Sequence, residues 1–278
     1  MQRRAVLGGL LGIAAMPSLP EAASRNFVAW NCMRWNGGPT SLVSCGLRTM
    51  TIFHESSMVT GKDPDFGKID AVAAQIRRAQ PKLVTLDIER WYPEYSGGRR
   101  RLIAVVDYLR DRIPSTTKLG YWGIMPGINY GAYLAGGSRL AEQRALNRAM
   151  RPLAAKVDWI MPSLYTPETD RARWSRHADI VLSEAHSFGK PVMPWLWMQY
   201  LETSPVRSIR YDLLPGSFFR AQLEKCWAKA DSVCLWGTRV PQSGGKIQRL
   251  DWNGNAGWWR ETKSFLRSHG KNLDACRA

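Results

Sequence analysis

The sequence predicts an α/β fold of the TIM-like (β/α) barrel class, with seven parallel strands. The chain has 278 residues, close to the ~250 residues that such a barrel needs. Its hydrophobic content of 45% is that of a globular protein with a substantial core. Apolar strand segments alternate with helical segments, which predicts a parallel sheet covered on both faces. No low-complexity stretch or linker divides the chain, so we expect one domain over residues 25–278.

Each predicted strand is a short, nearly continuous apolar run, as expected where both faces of a sheet are covered. The seven runs are 27–31, 48–54, 82–89, 118–124, 157–164, 192–199 and 232–236. The predicted helices are 69–80, 99–112, 138–155, 170–188, 217–230 and 257–269. Ser138 is a predicted N-cap, Gly189 a predicted C-cap, and Pro114 stops the helix that precedes it. With this number of strands, closure into a barrel is favoured over an open doubly wound sheet.

The sequence lacks the signatures of nucleotide and metal binding. No G-x-G-x-x-G or G-x-x-x-x-G-K loop follows the first predicted strand. The four histidines include no H-x-x-x-H pair, and no two cysteines are spaced C-x-x-C. We therefore predict no cofactor and no metal. His177 and His186, in one predicted helix, are expected to be surface or capping residues.

Residues 1–24 are typical of an export signal. Two arginines at positions 3 and 4 precede an apolar run from Ala5 to Met16, and small residues follow up to Ser24. The arginine pair resembles the start of a twin-arginine signal. The run is too short to span a bilayer, and no later segment is longer. We expect an exported protein, periplasmic or secreted, without stable membrane insertion.

The net charge of +16 favours a polyanionic partner, although solubility alone would also explain it. No helix-turn-helix, zinc-finger or RNP motif accompanies the scattered basic residues, so no nucleic-acid partner is expected. Thirteen tryptophans suggest stacking against sugar rings, and core packing explains about half of them. We expect a monomer whose partner is a polysaccharide, an anionic one in view of the charge.

Export permits disulfide bonds, and the odd number of cysteines leaves at least one thiol free. The sequence does not determine the pairing. A bond from Cys32 to Cys45 and a bond from Cys32 to Cys276 are both compatible with it.

The strand 82–89 ends with two acids, Asp87 and Glu89. Strand side chains alternate, so both point the same way, roughly 6.6 Å apart along the backbone. Buried carboxylates are costly unless they are paired or needed, and barrel enzymes keep their active sites at the carboxyl ends of the strands. The alternative is a strand that ends in solvent with two hydrated acids.

The other predicted strand ends carry aromatic and polar residues. They are His54 with Glu55, Trp122 leading to Tyr130, Tyr165, Tyr200 with Glu202, and Trp236. One acid pair ringed by tyrosine and tryptophan is a glycosidase-like composition, with a proton donor between stacking walls.

Seven short segments carry a resemblance to a known family. They are 50–53 (MTIF), 86–93 (LDIERWYP), 122–123 (WG), 126–130 (PGINY), 161–165 (MPSLY), 191–194 (PVMP) and 235–237 (LWG). In these segments and in their order, the chain resembles the hyaluronidases of the animal and venom type, a glycoside hydrolase family with a seven-stranded barrel. The chain is shorter than the animal enzymes and lacks their C-terminal cysteine-rich module.

The resemblance implies a role for each matching residue. Glu89 matches the family's catalytic acid, and Asp87 the carboxylate that helps to position the substrate's acetamido group. Tyr130, Tyr165 and Trp236 match residues that line the cleavage subsite. The family cleaves with retention, using the substrate's N-acetyl oxygen as nucleophile, a known exception to the two-carboxylate scheme.

Three further aromatic or polar residues complete the expected substrate site, namely His54, Trp122 and Tyr200. His54 stands where the family has tyrosine, and Ile88 stands where it usually has tryptophan. The polymer therefore need not be hyaluronan, although the reaction type is expected to be kept.

Two alternatives stay open. The barrel could bind glycans without cleaving them, although a binder would be free to lose either acid. If Glu55 or Glu202 lay about 5–5.5 Å from Glu89, a retaining mechanism with a protein nucleophile would be the better account.

Overall fold

A computed structural model describes residues 26–241 and 247–278. The predicted export signal, residues 1–24, lies outside the described residues. The twelve strands are β1 (Val28–Met33), β2 (Leu47–Thr49), β3 (Thr51–His54), β4 (Val59–Thr60), β5 (Asp63–Pro64), β6 (Leu83–Asp87), β7 (Lys118–Trp122), β8 (Trp159–Met161), β9 (Trp195–Trp197), β10 (Ser232–Gly237), β11 (Val240–Pro241) and β12 (Ile247–Gln248).

Eight helices alternate with these strands through most of the described chain. They are α1 (Phe66–Ala79), α2 (Ser96–Arg110), α3 (Tyr130–Ala135), α4 (Gly137–Ala149), α5 (Arg151–Ala154), α6 (Arg171–His186), α7 (Gly216–Lys229) and α8 (Gly257–Ser268). Short 3-10 turns occur at Val43–Cys45, Glu55–Ser57 and Arg207–Ile209. No helix in residues 26–241 and 247–278 combines the length and the apolar character that a bilayer crossing requires.

Two parallel four-stranded sheets form the barrel wall, in the orders β2-β1-β10-β9 and β3-β6-β7-β8. Isolated parallel bridges, Ile160 with Val192 and Ser163 with Trp195, join β8 to the β9 segment. Strands β2 and β3 are consecutive in the chain and pair with β1 and β6 respectively, so the pairings run through seven strand positions. The short antiparallel pairs β4-β5 and β11-β12 lie outside these two sheets.

One predicted strand, 48–54, is interrupted at Met50. Strand β2 pairs with β1, whereas β3 pairs with β6. The Met50 amide donates to the Asn31 carbonyl at 2.9 Å, so the backbone changes partner there without losing its hydrogen bond. The predicted strand is one wall position with a break in its middle.

Three predicted helix boundaries are wrong. The segment 138–155 divides into α4 and α5 at Met150, because Pro152 has no N–H and starts a new first turn. Helix α4 begins at Gly137, so Ser138 is inside it and is not its N-cap. Helix α6 ends at His186, before Gly189.

The sequence analysis missed α3. The Asn129 side chain caps its first turn by accepting a hydrogen bond from the Ala132 amide at 3.0 Å. This cap makes Tyr130 the first residue of a helix, where a loop residue was expected.

The disulfide joins Cys45 to Cys276, so both pairings considered for Cys32 are wrong. Cys45 ends a turn before β2, at the amino-terminal end of the barrel wall. A side chain at the neighbouring Gly46 would meet Leu266 and Leu273, because the C-terminal segment runs close to Cys45. Free thiols remain on Cys32, Cys226 and Cys234, all of which are buried.

Candidate active site

The acid pair follows the central strand β6. This strand ends at Asp87, and Glu89 lies two residues further on. Ile88 between them is fully buried, so it anchors the segment in the core while both acids turn to the other side. Asp87 and Glu89 line one cavity of about 190 Å³ at the carboxyl ends of the strands. The structure thus brings together the two acids that the strand pattern predicted to share a face.

Asp87 is held by its neighbour on the adjacent strand. His54 and Asp87 are register partners of β3 and β6, and His54 Nδ1 lies 2.6 Å from Asp87 Oδ2. The other carboxylate oxygen, Oδ1, is buried and has no hydrogen-bond partner in the described part of the chain. A buried carboxylate oxygen without a donor is costly, so this atom is suited to accept an N–H from a bound molecule.

Glu89 is accessible from the cavity, and its pKa is raised above the ordinary glutamate value. Burial is the largest cause, and the negative charge of Asp87 is the second. Arg239 acts in the opposite direction, while Glu55 and Glu202 add smaller upward contributions. A carboxyl group with a raised pKa that faces a cavity is what a general acid requires.

Aromatic rings form the floor of this cavity. Tyr165 stacks on Trp236 with ring centroids 5.6 Å apart and an interplanar angle of 20°. Trp122 contacts Tyr165 at 5.6 Å, and Trp197 meets it edge-on at 5.5 Å. Trp122 and Trp236 are half-buried, so part of each ring faces the cavity. Burial raises the pKa of Tyr165 well above its usual value, so its hydroxyl stays neutral and can donate a hydrogen bond.

Three other predicted substrate residues do not line this cavity. Tyr130 donates its hydroxyl to Glu168 at 2.7 Å, and burial raises its pKa. Tyr200 is 5% exposed and lies beside Thr166 in an isolated parallel bridge. His54 lines a neighbouring cavity and reaches the acid pair through its bond to Asp87.

The expectation for His177 was wrong. This residue is buried at 5% exposure, with its ring 4.3 Å from the Tyr130 ring and 5.8 Å from the Tyr133 ring. Burial lowers the pKa of His177 to about 4, so it is a neutral packing residue behind α3. His186 lies in the last turn of α6 and is exposed, and its Nε2 is 2.9 Å from the Lys229 carbonyl oxygen.

Arg239 is a cavity residue that the sequence analysis missed. Among the cavity-lining residues in the described chain it is the only basic one. Arg239 follows the end of β10 by two residues. Its position just after the predicted strand that ends in Trp236 could therefore have indicated that it lies near the site. The cavity is also lined by Ile52, Ile128, Ser163, Trp195, Trp197, Leu201 and Thr203.

The two further glutamates differ in their surroundings. Glu55 accepts a hydrogen bond from the Arg90 guanidinium at 2.7 Å, which lowers the Glu55 pKa. Glu202 lines the same cavity as Glu89, and its Oε2 is buried with no hydrogen-bond partner in residues 26–241 and 247–278. Glu55 is therefore engaged in an ion pair, whereas Glu202 presents an available carboxylate oxygen to the cavity.

Two further cavities, each of about 250 Å³, adjoin the central one. One shares Trp236 and Arg239 with it and adds Arg34 and Arg249. The other shares Glu89, Trp122 and Ile128 with it and adds Tyr92, which is 63% exposed. The acid pair thus lies between two flanking spaces, as in a groove that accepts an extended molecule.

No group of three or more histidine, cysteine or acidic side chains suited to hold a metal ion occurs in the described ranges.

No protein-family model matches the chain, and no curated protein matches it. Among solved structures, it is similar to bee venom hyaluronidase, with 15% identity, 76% of this chain and 91% of that chain covered, and a TM-score of 0.59. The same enzyme in complex with a hyaluronic acid tetramer is similar at 16% identity, with 76% and 90% covered and a TM-score of 0.60. These likenesses show the fold, and the predicted class of a parallel α/β barrel is confirmed.

Proposed function

We propose that this protein is an exported glycoside hydrolase that cleaves an N-acetylhexosamine-containing polysaccharide with retention. In this reaction Glu89 is the general acid and base, and Asp87 orients the substrate's acetamido group. The observation that carries the proposal is the acid pair itself. Glu89 has a raised pKa and faces an aromatic-floored cavity, and beside it Asp87 presents a buried oxygen that lacks a donor among the described residues.

The chemistry follows from these two carboxyl groups. Protonated Glu89 gives its proton to the glycosidic oxygen as the bond from that oxygen to C1 breaks. The acetamido carbonyl oxygen bonds to C1 from the opposite face, while Asp87 Oδ1 accepts the amide N–H and stabilises the developing positive charge. Water then attacks C1, the acetamido oxygen leaves, and ionised Glu89 takes the proton of that water. Two displacements at C1 give net retention.

The aromatic floor supports a sugar substrate. The faces of Trp122 and Trp236 that border the cavity are apolar surfaces on which a pyranose ring can stack, and the neutral Tyr165 hydroxyl is a hydrogen-bond donor beside them. The flanking cavities support binding of a polymer across the acid pair.

Charge and resemblance guide the choice of substrate. Arg239 in the central cavity and the net charge of +16 favour an anionic polysaccharide. One similar solved structure holds a hyaluronic acid tetramer, so hyaluronan is the first polymer to test. The Cys45–Cys276 disulfide supports export, because such bonds persist in oxidising compartments.

The experiment is a reducing-end assay of the mature protein on hyaluronan, chondroitin, chitin oligomers and peptidoglycan fragments. We expect new reducing ends from at least one of them, with retained anomeric configuration. Binding without any new reducing ends would contradict the proposal and favour a glycan-binding barrel.

Glu202 supports a second candidate, a retaining glycosidase with a protein nucleophile. Its carboxylate lines the cavity with Glu89, and one oxygen has no partner in the described chain. The rates of the two mechanisms respond differently when the N-acetyl group of the substrate is replaced by another acyl group. An electron-withdrawing N-trifluoroacetyl substrate slows the reaction strongly when the acetamido oxygen is the nucleophile. If Glu202 is the nucleophile, the N-trifluoroacetyl substrate is cleaved as fast as the N-acetyl substrate, and Glu202→Gln abolishes turnover.

A further inference from the structure

Two neighbouring carboxyl groups can hold one proton between them, and catalysis depends on which group holds it. Asp87 and Glu89 are such a pair, since the charge of Asp87 raises the pKa of Glu89. The proposed reaction needs the proton on Glu89 and a negative charge on Asp87. The strand pattern alone does not distinguish the two acids, but their surroundings in the folded chain differ.

The difference is His54. Its Nδ1 lies 2.6 Å from Asp87 Oδ2, so one proton is shared between these two atoms. The proposed reaction uses Asp87 as a carboxylate, which can only accept, so His54 Nδ1–H is the donor of this hydrogen bond and Asp87 Oδ2 its acceptor. No corresponding donor to the Glu89 carboxyl occurs among the hydrogen bonds of the described residues.

We propose that His54 is a positioning residue that fixes the Asp87 carboxylate and directs its Oδ1 into the cavity. This inference rests on the proposed function. Because Oδ2 is occupied by His54, the substrate amide can be accepted only by Oδ1, which is buried and without a partner in the described chain.

The other charged groups around His54 are compatible with this role. Its side chain is 48% exposed and borders the cavity that Arg34, Arg239 and Arg249 also line. The adjacent Glu55 is engaged by Arg90 at 2.7 Å. Of the acids near His54, Asp87 is therefore the one that His54 contacts.

The test compares two replacements of similar size. His54→Leu removes the donor, whereas His54→Asn places an amide N–H near the position of Nδ1. For both variants kcat and KM are measured separately on the polysaccharide that the wild-type protein cleaves, with thermal unfolding as a check on folding.

We expect His54→Leu to lower kcat/KM roughly ten- to hundredfold, the effect of losing a hydrogen bond to a charged group. We expect this loss in kcat, with KM little changed, because Asp87 Oδ1 acts on the charge that develops in the transition state. His54→Asn should recover most of kcat.

A His54→Asn variant that loses as much kcat as His54→Leu would show that the hydrogen bond to Asp87 is not what matters, and this result would overturn the inference. So would an unchanged kcat in His54→Leu, or a loss that lies in KM alone. If the wild-type protein cleaves none of the N-acetylhexosamine polymers, the proposed function fails, and the role of His54 falls with it.

Discussion

The guanidinium carbon of Arg239 lies 5.0 Å from the centroid of the Trp236 ring. This contact places a positive charge at the edge of the aromatic floor, within the field of the acid pair. The same arginine lowers the pKa of Glu89, against the larger effect of burial. We therefore expect Arg239 to affect two properties, the preference for negatively charged substrates and the pH range of activity.

Replacing Arg239 with glutamine should lower kcat/KM on an acidic glycan about tenfold, since a hydrogen bond to a charged group is lost. Activity on neutral chitin oligomers should change much less. The basic limb of the pH profile should move to higher pH, because the cation no longer favours ionised Glu89.

Arg148→Gln is a matched control, since Arg148 is exposed on α4 and borders none of the three cavities of the groove. Equal losses on acidic and neutral substrates in Arg239→Gln would show that this arginine does not select for substrate charge.

The raised pKa of Glu89 also predicts how stability depends on pH. A carboxyl group with a higher pKa in the folded state binds its proton more tightly there than in the unfolded chain. Its contribution to stability is therefore full below the unfolded value, near 4.5, and is lost as the pH rises through the folded value.

Glu89→Gln removes the ionisable group, and with it the loss of stability that the wild-type protein suffers when Glu89 ionises. We expect the variant to match the wild-type melting temperature in acid and to exceed it at neutral pH. Glu142→Gln, at an exposed position on α4, should show no such divergence. A Glu89→Gln variant less stable than wild type at neutral pH would mean that the carboxylate contributes to folding, contrary to the direction of its pKa shift.

The disulfide between Cys45 and Cys276 spans 231 residues. In the chain-entropy account, closing so long a loop restricts the unfolded state and contributes about 5.5 kcal/mol. We expect Cys45→Ser with Cys276→Ser to lower the free energy of unfolding by up to that amount, measured by chemical denaturation. Reductant should destabilise the wild-type protein and leave the double variant unchanged, and an equal response of both would contradict this role.

The sequence predicted the barrel class and the shared face of Asp87 and Glu89 because both depend on local patterns. An apolar run ending in Asp87 and Glu89 defines a strand, its direction and a shared face. The same reasoning placed Trp122, Tyr165 and Trp236 at strand ends, and all three line the cavity with the acids.

The remaining site residues depend on contacts between distant segments. Arg239 is one of 39 basic residues, and only the path of the chain after β10 brings it to Trp236. Tyr130 was expected beside the acids, but the Asn129 cap starts a helix there and turns its hydroxyl to Glu168. His177 was expected at the surface because helix position alone does not reveal that Tyr130 and Tyr133 cover it.

The most direct test of the central claim is the rate of reducing-end release by Glu89→Gln on the polymer that the wild-type protein cleaves. Glutamine keeps the size of the side chain but cannot supply the proton. We predict a fall of at least about a hundredfold, the usual contribution of a general acid, with oligosaccharide binding and cooperative unfolding retained. A Glu89→Gln protein that releases reducing ends at a rate within a few-fold of wild type would contradict the account.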